Sequence, residues 1–306
     1  MAVQMQPSVM NIKDGESFEK ASQDLRSRYT LGDALPTNLA SLSIMSPGGI
    51  QNESREQQPA GHALTKRMES VSGAITTEAY SIQPLTVEHH ERALEHLRKY
   101  FFRDEPLNVN MGLLSKEDDR CIELEEYALT SMKKGVSLMA VSERGELVGV
   151  VINCVTERED AATISDPSKD CANPKFAKIL ALLHHVSQEA NVFGQFPDVQ
   201  RVLNISILSV DSNWRGRGIA RALTDATAEY AKDHAVEMLR VDCTSHFTAL
   251  ISERLGFHSI YSLPYAQYIK DGKPVFNPPP PHLEIKVFVH RVDEDKRKTK
   301  LNILYH

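Results

Sequence analysis

The spacing of apolar positions changes along the chain, and each change marks an element. Tyr80-Ser-Ile-Gln-Pro-Leu85 alternates and predicts a short strand. Thr86 is an N-cap candidate for a following helix with Leu94, Leu97 and Phe101 on one face. A second helix is predicted over about 118–134, ending near Gly135. Ser137–Val141 and Leu147–Val155 read as a hairpin across the turn Glu143-Arg-Gly-Glu146. A polar loop of about 18 residues leads to Asn173, and Pro174 opens a helix. Phe176, Ile179, Leu180, Leu183 and Val186 share a face of that helix. Val202–Val210 is a β-like run, and Ile219, Ala222, Leu223, Ala226 and Tyr230 trace a helical face after it. Val236–Cys243 is a further strand, and His246–Leu255 is a short helix closed by Gly256 with Phe257 behind it. Ile260–Leu263 and Leu283–Val289 are the last strands.

This order predicts one mixed α/β domain over 77–292, a central sheet with helices on both faces and no internal repeat. Residues 1–76 are rich in Ser, Gln, Met and Asn and hold no sustained period, so they read as a disordered tail with one transient helix near 17–29. Residues 293–306 form a basic tail whose lysines are a solvated end.

Composition removes several classes. The net charge of −6 argues against a nucleic-acid binder, which needs a basic face. No run of 18 apolar residues predicts a membrane span, and no secretory signal is visible. Cys121, Cys154, Cys171 and Cys243 have neither CxxC nor zinc spacing. They are expected as free thiols in the cytoplasm, with Cys154 and Cys243 in the core. His184 and His185 are adjacent, face different ways on a helix and have no acidic partner at metal spacing, so no metal is expected. Pro278–Pro281 is expected as a stiff lip between strands rather than a docking motif.

Candidate chemistry begins at Arg215–Ala220, RGRGIA. A glycine-bearing turn here leaves a strand and opens a helix, so free backbone N–H groups and the helix dipole converge on one spot suited to phosphate. Glycine at 216 and 218 keeps Cβ atoms out of the way. The nucleotide P-loop string is absent, and the dinucleotide fingerprint fails because Arg221 stands where its third glycine belongs. The acyl-CoA loop [Q/R]xxGx[G/A] is matched in full by Arg215, Gly218 and Ala220. A plain turn with glycines for geometry is the competing reading of the hexapeptide alone.

Three segments decide between them. FFRDEPLN at 101–108, ISILSVDSNWRGRGIAR at 205–221 and CTSHFTALISERLGF at 243–257 occur in this order and spacing. Together they resemble the insect-type arylalkylamine N-acetyltransferases, the GNAT-superfamily group to which dopamine N-acetyltransferase belongs. The resemblance runs from about Tyr80 to Val289 and includes NPKFAKILALLHHV and VFNPPPPH. It implies the GNAT acyltransferase fold, a mixed twisted sheet flanked by helices. It also implies acetyl-CoA as co-substrate and an arylalkylamine acceptor such as dopamine, tyramine, octopamine, serotonin or tryptamine. A polyamine acceptor, a longer acyl donor, or a non-catalytic acyl-CoA-binding protein are the alternatives. A monomer is expected.

The reaction poses a proton problem. An alkyl amine of pKa about 10 is neutral in only about one molecule in 10³ at pH 7, a cost of roughly 4 kcal/mol. A positioned carboxylate removes it. Glu105 lies between a helix and Pro106, on a loop able to reach a cleft, and the resemblance makes it the general base. Asp104 is expected at the substrate, shaping the loop or biasing the amine's charge. The tyrosine that many GNAT enzymes place five residues before the Phe of the GF pair is Ser252 here, so the usual general acid is missing. The insect enzymes carry serines where this chain has Thr244 and Thr248. These two are expected to relay protons or hold the thioester, with helix capping by Thr244 or Ser245 as the alternative. The pyrophosphate is expected over the backbone of Arg217, Gly218, Ile219, Ala220 and Arg221, with Arg215 and Gly216 completing the loop. The pantetheine arm is expected along Leu208, Ser209 and Val210, and a backbone N–H near Ser209 or Val210 would face the acetyl carbonyl.

Overall fold

The computed structural model describes residues 79–292, apart from 117, 118 and 162. The two expected tails and the helix near 17–29 lie outside the described residues.

Nine strands occur among the described residues: β1 (Tyr80–Pro84), β2 (Leu138–Ser142), β3 (Leu147–Glu157), β4 (Arg201–Val210), β5 (Met238–Cys243), β6 (His258–Pro264), β7 (Ile269–Lys270), β8 (Lys273–Pro274) and β9 (Glu284–Arg291). The helices are α1 (His90–Tyr100), α2 (Pro106–Asn110), α3 (Ile122–Met132), α4 (Arg158–Ala161), α5 (Pro174–Ala190), α6 (Val192–Gln195), α7 (Ile219–Asp233) and α8 (His246–Arg254). A seven-stranded sheet runs β1-β2-β3-β4-β5-β9-β6, parallel only between β4 and β5. Strands β7 and β8 pair separately.

Alternation sends successive strand side chains to two cores. Met139 and Val141 of β2 join α1, α3 and α5 in one, while Leu138 and Ala140 join α7 and α8 in the other. Two register shifts redirect the alternation. In β3, Ala140 pairs with Gly149 and Val141 with Leu147, leaving Val148 as the extra residue. In β4, Ile152 pairs with Ile207 and Asn153 with Ile205, leaving Ser206 as the extra residue. Consequently Leu203 and Ile205 face α7, whereas Ile207 faces the other core.

Pro174 opens its helix as expected, whereas the Thr86 candidate stands at the N-cap of a 3-10 turn and α1 itself begins after His89. Asn173 accepts from the N–H groups of Lys175 and Phe176 at 3.0 and 3.2 Å, and Pro174 follows as the first helical residue of α5. Thr86 faces His89 Nδ1 through both its N–H and its hydroxyl, at 3.2 and 2.8 Å, opening a short 3-10 turn before α1. Four expectations change. Helix α1 stops at Tyr100, so Phe102, at 1% exposure, is the core residue and Phe101 is half-buried. The second helix begins at Ile122 rather than 118. The long polar loop holds the short helix α4 and a 3-10 turn at Pro167–Lys169. Cys154 is half-buried and lines a cavity instead of joining the core.

Candidate active site

The parallel pairing of β4 with β5 runs from Val202↔Met238 to Ile205↔Val241 and ends there. Strand β4 continues through the bulge to Val210, held on its other side by β3. Leu208, Ser209 and Val210 therefore lie on a strand edge without a neighbouring strand, which suits an extended, amide-bearing chain. Ser209 is buried, with Oγ 3.1 Å from His96 Nε2 on α1. Burial pushes the His96 imidazole down to about 4, so this ring is neutral at pH 7.

At the end of that edge Asp211 Oδ1 accepts from the Asn213 N–H at 2.8 Å and starts a turn that buries Trp214. The Arg217 guanidinium stacks on the Trp214 ring, 4.5 Å from its centroid. Arg215 Nε donates to the Val210 carbonyl at 3.3 Å. Gly216 and Gly218 have φ of +78° and +79°, a left-handed backbone that a side chain resists. Gly218 caps α7 without a side-chain acceptor, and the first N–H to return is that of Ala222, to Gly218 O at 2.9 Å. The N–H groups of Ile219, Ala220 and Arg221 thus have no acceptor within the helix. A Cβ on Gly216 would meet nothing within 4 Å, so the cradle opens outward. The arrangement fits a pyrophosphate. Arg221 lies on the exposed side of α7, 3.4 Å from Asp225.

On the α5 side of the sheet lies a cavity of about 690 Å³. Its helix wall is apolar along Phe101, Leu107, Phe176, Ile179, Leu180 and Leu183, and polar at His184, Ser187 and Gln188. Its strand wall carries the polar side chains Thr244, Asp242, Arg240, Asn204 and Ser206 among the apolar Val202, Ile205 and Ile207. Glu105 is the N-cap of α2, and Oε2 accepts from the Asn108 N–H at 2.7 Å. Oε1 is buried with no hydrogen-bond partner. Burial raises the Glu105 pKa; the Asn108 N–H and the nearby Thr244 hydroxyl oppose that without overcoming it. A carboxylate with one bare oxygen, facing a cavity and holding protons more tightly than usual, is equipped to receive a proton.

Thr244 lines the cavity and Thr248 does not. The Thr248 carbonyl accepts from the Ser252 hydroxyl at 3.0 Å, and Ser252 Oγ also meets Cys243 Sγ at 3.4 Å, so this hydroxyl is spent inside α8 and the core. Capping of α8 falls to Ser245, whose Oγ accepts from the Phe247 N–H. Asp104, expected at the substrate, is absent from the cavity wall. It is exposed, with Oδ2 3.6 Å from Arg215 Nη2, because adjacent residues at the start of a helix point apart.

Several residues here carried no sequence signal. Tyr265 is 2% exposed and donates to the Thr244 carbonyl at 2.7 Å; burial pushes its phenol well above the usual range. Tyr127 lines the cavity, and burial, reinforced by Asp242, raises its phenol to about 12. Arg240 holds Asp242 through two bonds of 2.8 and 2.9 Å and Ser187 of α5 at 3.1 Å. The only available hint was the i, i+2 spacing of Arg240, Asp242 and Thr244 along one strand face.

The acetyltransferase (GNAT) family profile matches residues 92–257, more than half of the chain. Among solved structures, arylalkylamine N-acetyltransferase 2 from Aedes aegypti is 30% identical, with a TM-score of 0.64 over 70% of this chain and 99% of that one. The Drosophila melanogaster polyamine N-acetyltransferase that forms N-acetylagmatine is 26% identical, with a TM-score of 0.62 over 69% of this chain and 99% of that one. No helix among the described residues is long and apolar enough to cross a membrane.

Proposed function

The chain belongs to the acetyltransferase (GNAT) family, whose members pass an acetyl group from acetyl-CoA to an amine, and we propose that its acceptor is an arylalkylamine and its general base Glu105. Acetyl-CoA supplies the activated acyl group. The backbone of 216–221 receives its pyrophosphate, and the open edge of Leu208–Val210 receives its pantetheine arm. Glu105 Oε1 takes the proton from the acceptor's ammonium, directly or through one water. Thr244 steadies that carboxylate, and Asp104 pairs with Arg215 at 3.6 Å.

One observation supports the acceptor class. The charged residues lining the cavity are Glu105, Asp242, Arg158 and Arg240, besides His184. Asp242 is already neutralised by Arg240, and Arg158 is satisfied by the carbonyls of Phe193, Phe196 and Val199. Glu105 is thus the one acid left for a cation, and an apolar helix wall remains for a ring. A second cation would meet two arginines. The similarity to the N-acetylagmatine-forming enzyme favours the opposite reading, a guanidino or polyamine acceptor.

The test is a panel of amines at fixed acetyl-CoA. The specificity constants of tyramine and tryptamine should exceed those of agmatine and spermidine by about tenfold or more, since burying a ring gains roughly 25 cal/mol per Å². The reverse order would reject the arylalkylamine reading, and CoA release with no amine would reject them both.

A further inference from the structure

The polar wall of the cavity contains a group that proton removal does not use. Arg240, Asp242 and Thr244 lie at alternate positions on the cavity side of β5 and its continuation. Val241 and Cys243 between them point into the opposite core. Thr244 marks the Glu105 end. One strand repeat of about 7 Å separates it from Asp242, comparable to the reach of an arylethylamine.

The pair is neutral overall and mostly withdrawn from solvent, with side chains 10% and 24% exposed. Its hydrogen bonding is incomplete. Arg240 uses Nε and one N–H of Nη2 on Asp242, and one N–H of Nη1 on Ser187. One N–H on each terminal nitrogen and the outer lone pairs of both Asp242 oxygens remain. Such a pair offers a donor and an acceptor side by side with no net charge. A cationic tail would be repelled by Arg240 and an anionic one by Asp242, whereas a hydroxyl, which both donates and accepts, satisfies both. The apolar helix wall opposite would hold the ring that carries it.

We propose that the Arg240–Asp242 pair is a specificity-determining subsite that recognises a ring hydroxyl on the acceptor, so that phenolic or hydroxyindole amines are preferred over their unsubstituted counterparts. The proposal rests on the arylalkylamine reading, and the experiment separates the two. Tyramine and 2-phenylethylamine differ only in the ring hydroxyl. With full-length protein and acetyl-CoA, the specificity constant for tyramine should be higher by about tenfold or more, because a site built to bind a hydroxyl penalises its loss. Arg240→Met combined with Asp242→Leu removes both charges together and avoids stranding either one. Its ratio should fall to within about threefold of unity, with tyramine losing more than 2-phenylethylamine. Arg240→Lys keeps the charge but loses the two-pronged geometry, and should lower the ratio even if the double variant does not fold.

Equal turnover of the two amines by the unmodified protein overturns the subsite and leaves the arylalkylamine reading standing. A ratio unchanged in a folded double variant, or in Arg240→Lys, overturns it as well. Turnover of agmatine with neither aromatic amine accepted overturns the arylalkylamine reading, and the subsite with it.

Discussion

Glu105 and Glu125 stand 20 positions apart, at the first turns of neighbouring helices, and both are under 10% exposed. Their surroundings are opposite. Glu125 receives Arg98 at 3.1 and 2.8 Å and Arg120 at 2.9 Å, and the two guanidinium groups hold its pKa down to about 2. Glu105 accepts from the Asn108 N–H, with the Leu107 N–H and the Thr244 hydroxyl close by, yet Oε1 makes no hydrogen bond of its own and burial still raises the pKa. A carboxylate surrounded by arginines is a fastener: its charge is fixed and its lone pairs are used. A carboxylate left under-satisfied beside a cavity costs stability and remains free to exchange a proton. The same residue type is thus equipped for two different jobs by what the fold places around it.

That contrast can be tested from both sides. Glu105→Gln keeps the cap acceptor and removes the base, so kcat at pH 7 should fall by about 10²–10³ in steady-state assays. Glu125→Gln should do the reverse. Its activity should stay within a few-fold, while denaturant unfolding should show a loss of about 2 kcal/mol, reduced from the fully buried case because Arg120 is half-exposed. The pH dependence of Glu125 has a definite sign. Its depressed pKa gives stability present above the ordinary carboxylate range and lost as pH falls toward about 2.

A third region serves as control. Gly218→Val forces a branched Cβ onto a left-handed backbone at the mouth of the loop. The Michaelis constant for acetyl-CoA should rise about tenfold or more, as anion contacts are lost, with the pH profile of the surviving rate unaltered. The smallest expected effect is on the stability of the catalytic variant. A raised folded-state pKa means Glu105 contributes stability below the ordinary carboxylate pKa, lost as pH rises through the folded value. Glu105→Gln should therefore be more stable than the parent at pH 8 in denaturant unfolding, with the gain shrinking as pH falls below the ordinary carboxylate range. Equal or lower stability at pH 8 would argue that Glu105 is not strained by its burial.

Much of the frame was legible in the chain because the signals are local. Asn173-Pro174, the glycines of the loop and the Ile219–Ala226 face each act within a few residues. The site was only half legible. Glu105 and Thr244 came from resemblance to a family, and composition alone would have left an Asp-Glu pair on a surface turn. The strand-to-strand geometry was invisible: the extra residue at Ser206 reverses the alternation of β4, and no period in the sequence announces it. The Arg240–Asp242 pair needed the third dimension as well, since its cavity is closed by α5, about 50 residues earlier in the chain. Asp104 and Glu105 looked like a team, yet one faces Arg215 and the other the cavity.

The central claim is that the bare oxygen of Glu105 takes the acceptor's proton. The direct measurement is the ratio of specificity constants, unmodified protein over Glu105→Gln, for tyramine from pH 6.5 to about pH 9.5, within reach of the amine's own pKa. The account predicts a ratio of about 10² or more at pH 7 that falls steadily as the amine arrives already neutral, with acetyl-CoA affinity unchanged throughout. A ratio that stays constant across that range would mean that Glu105 positions the site without accepting the proton, and would contradict the account.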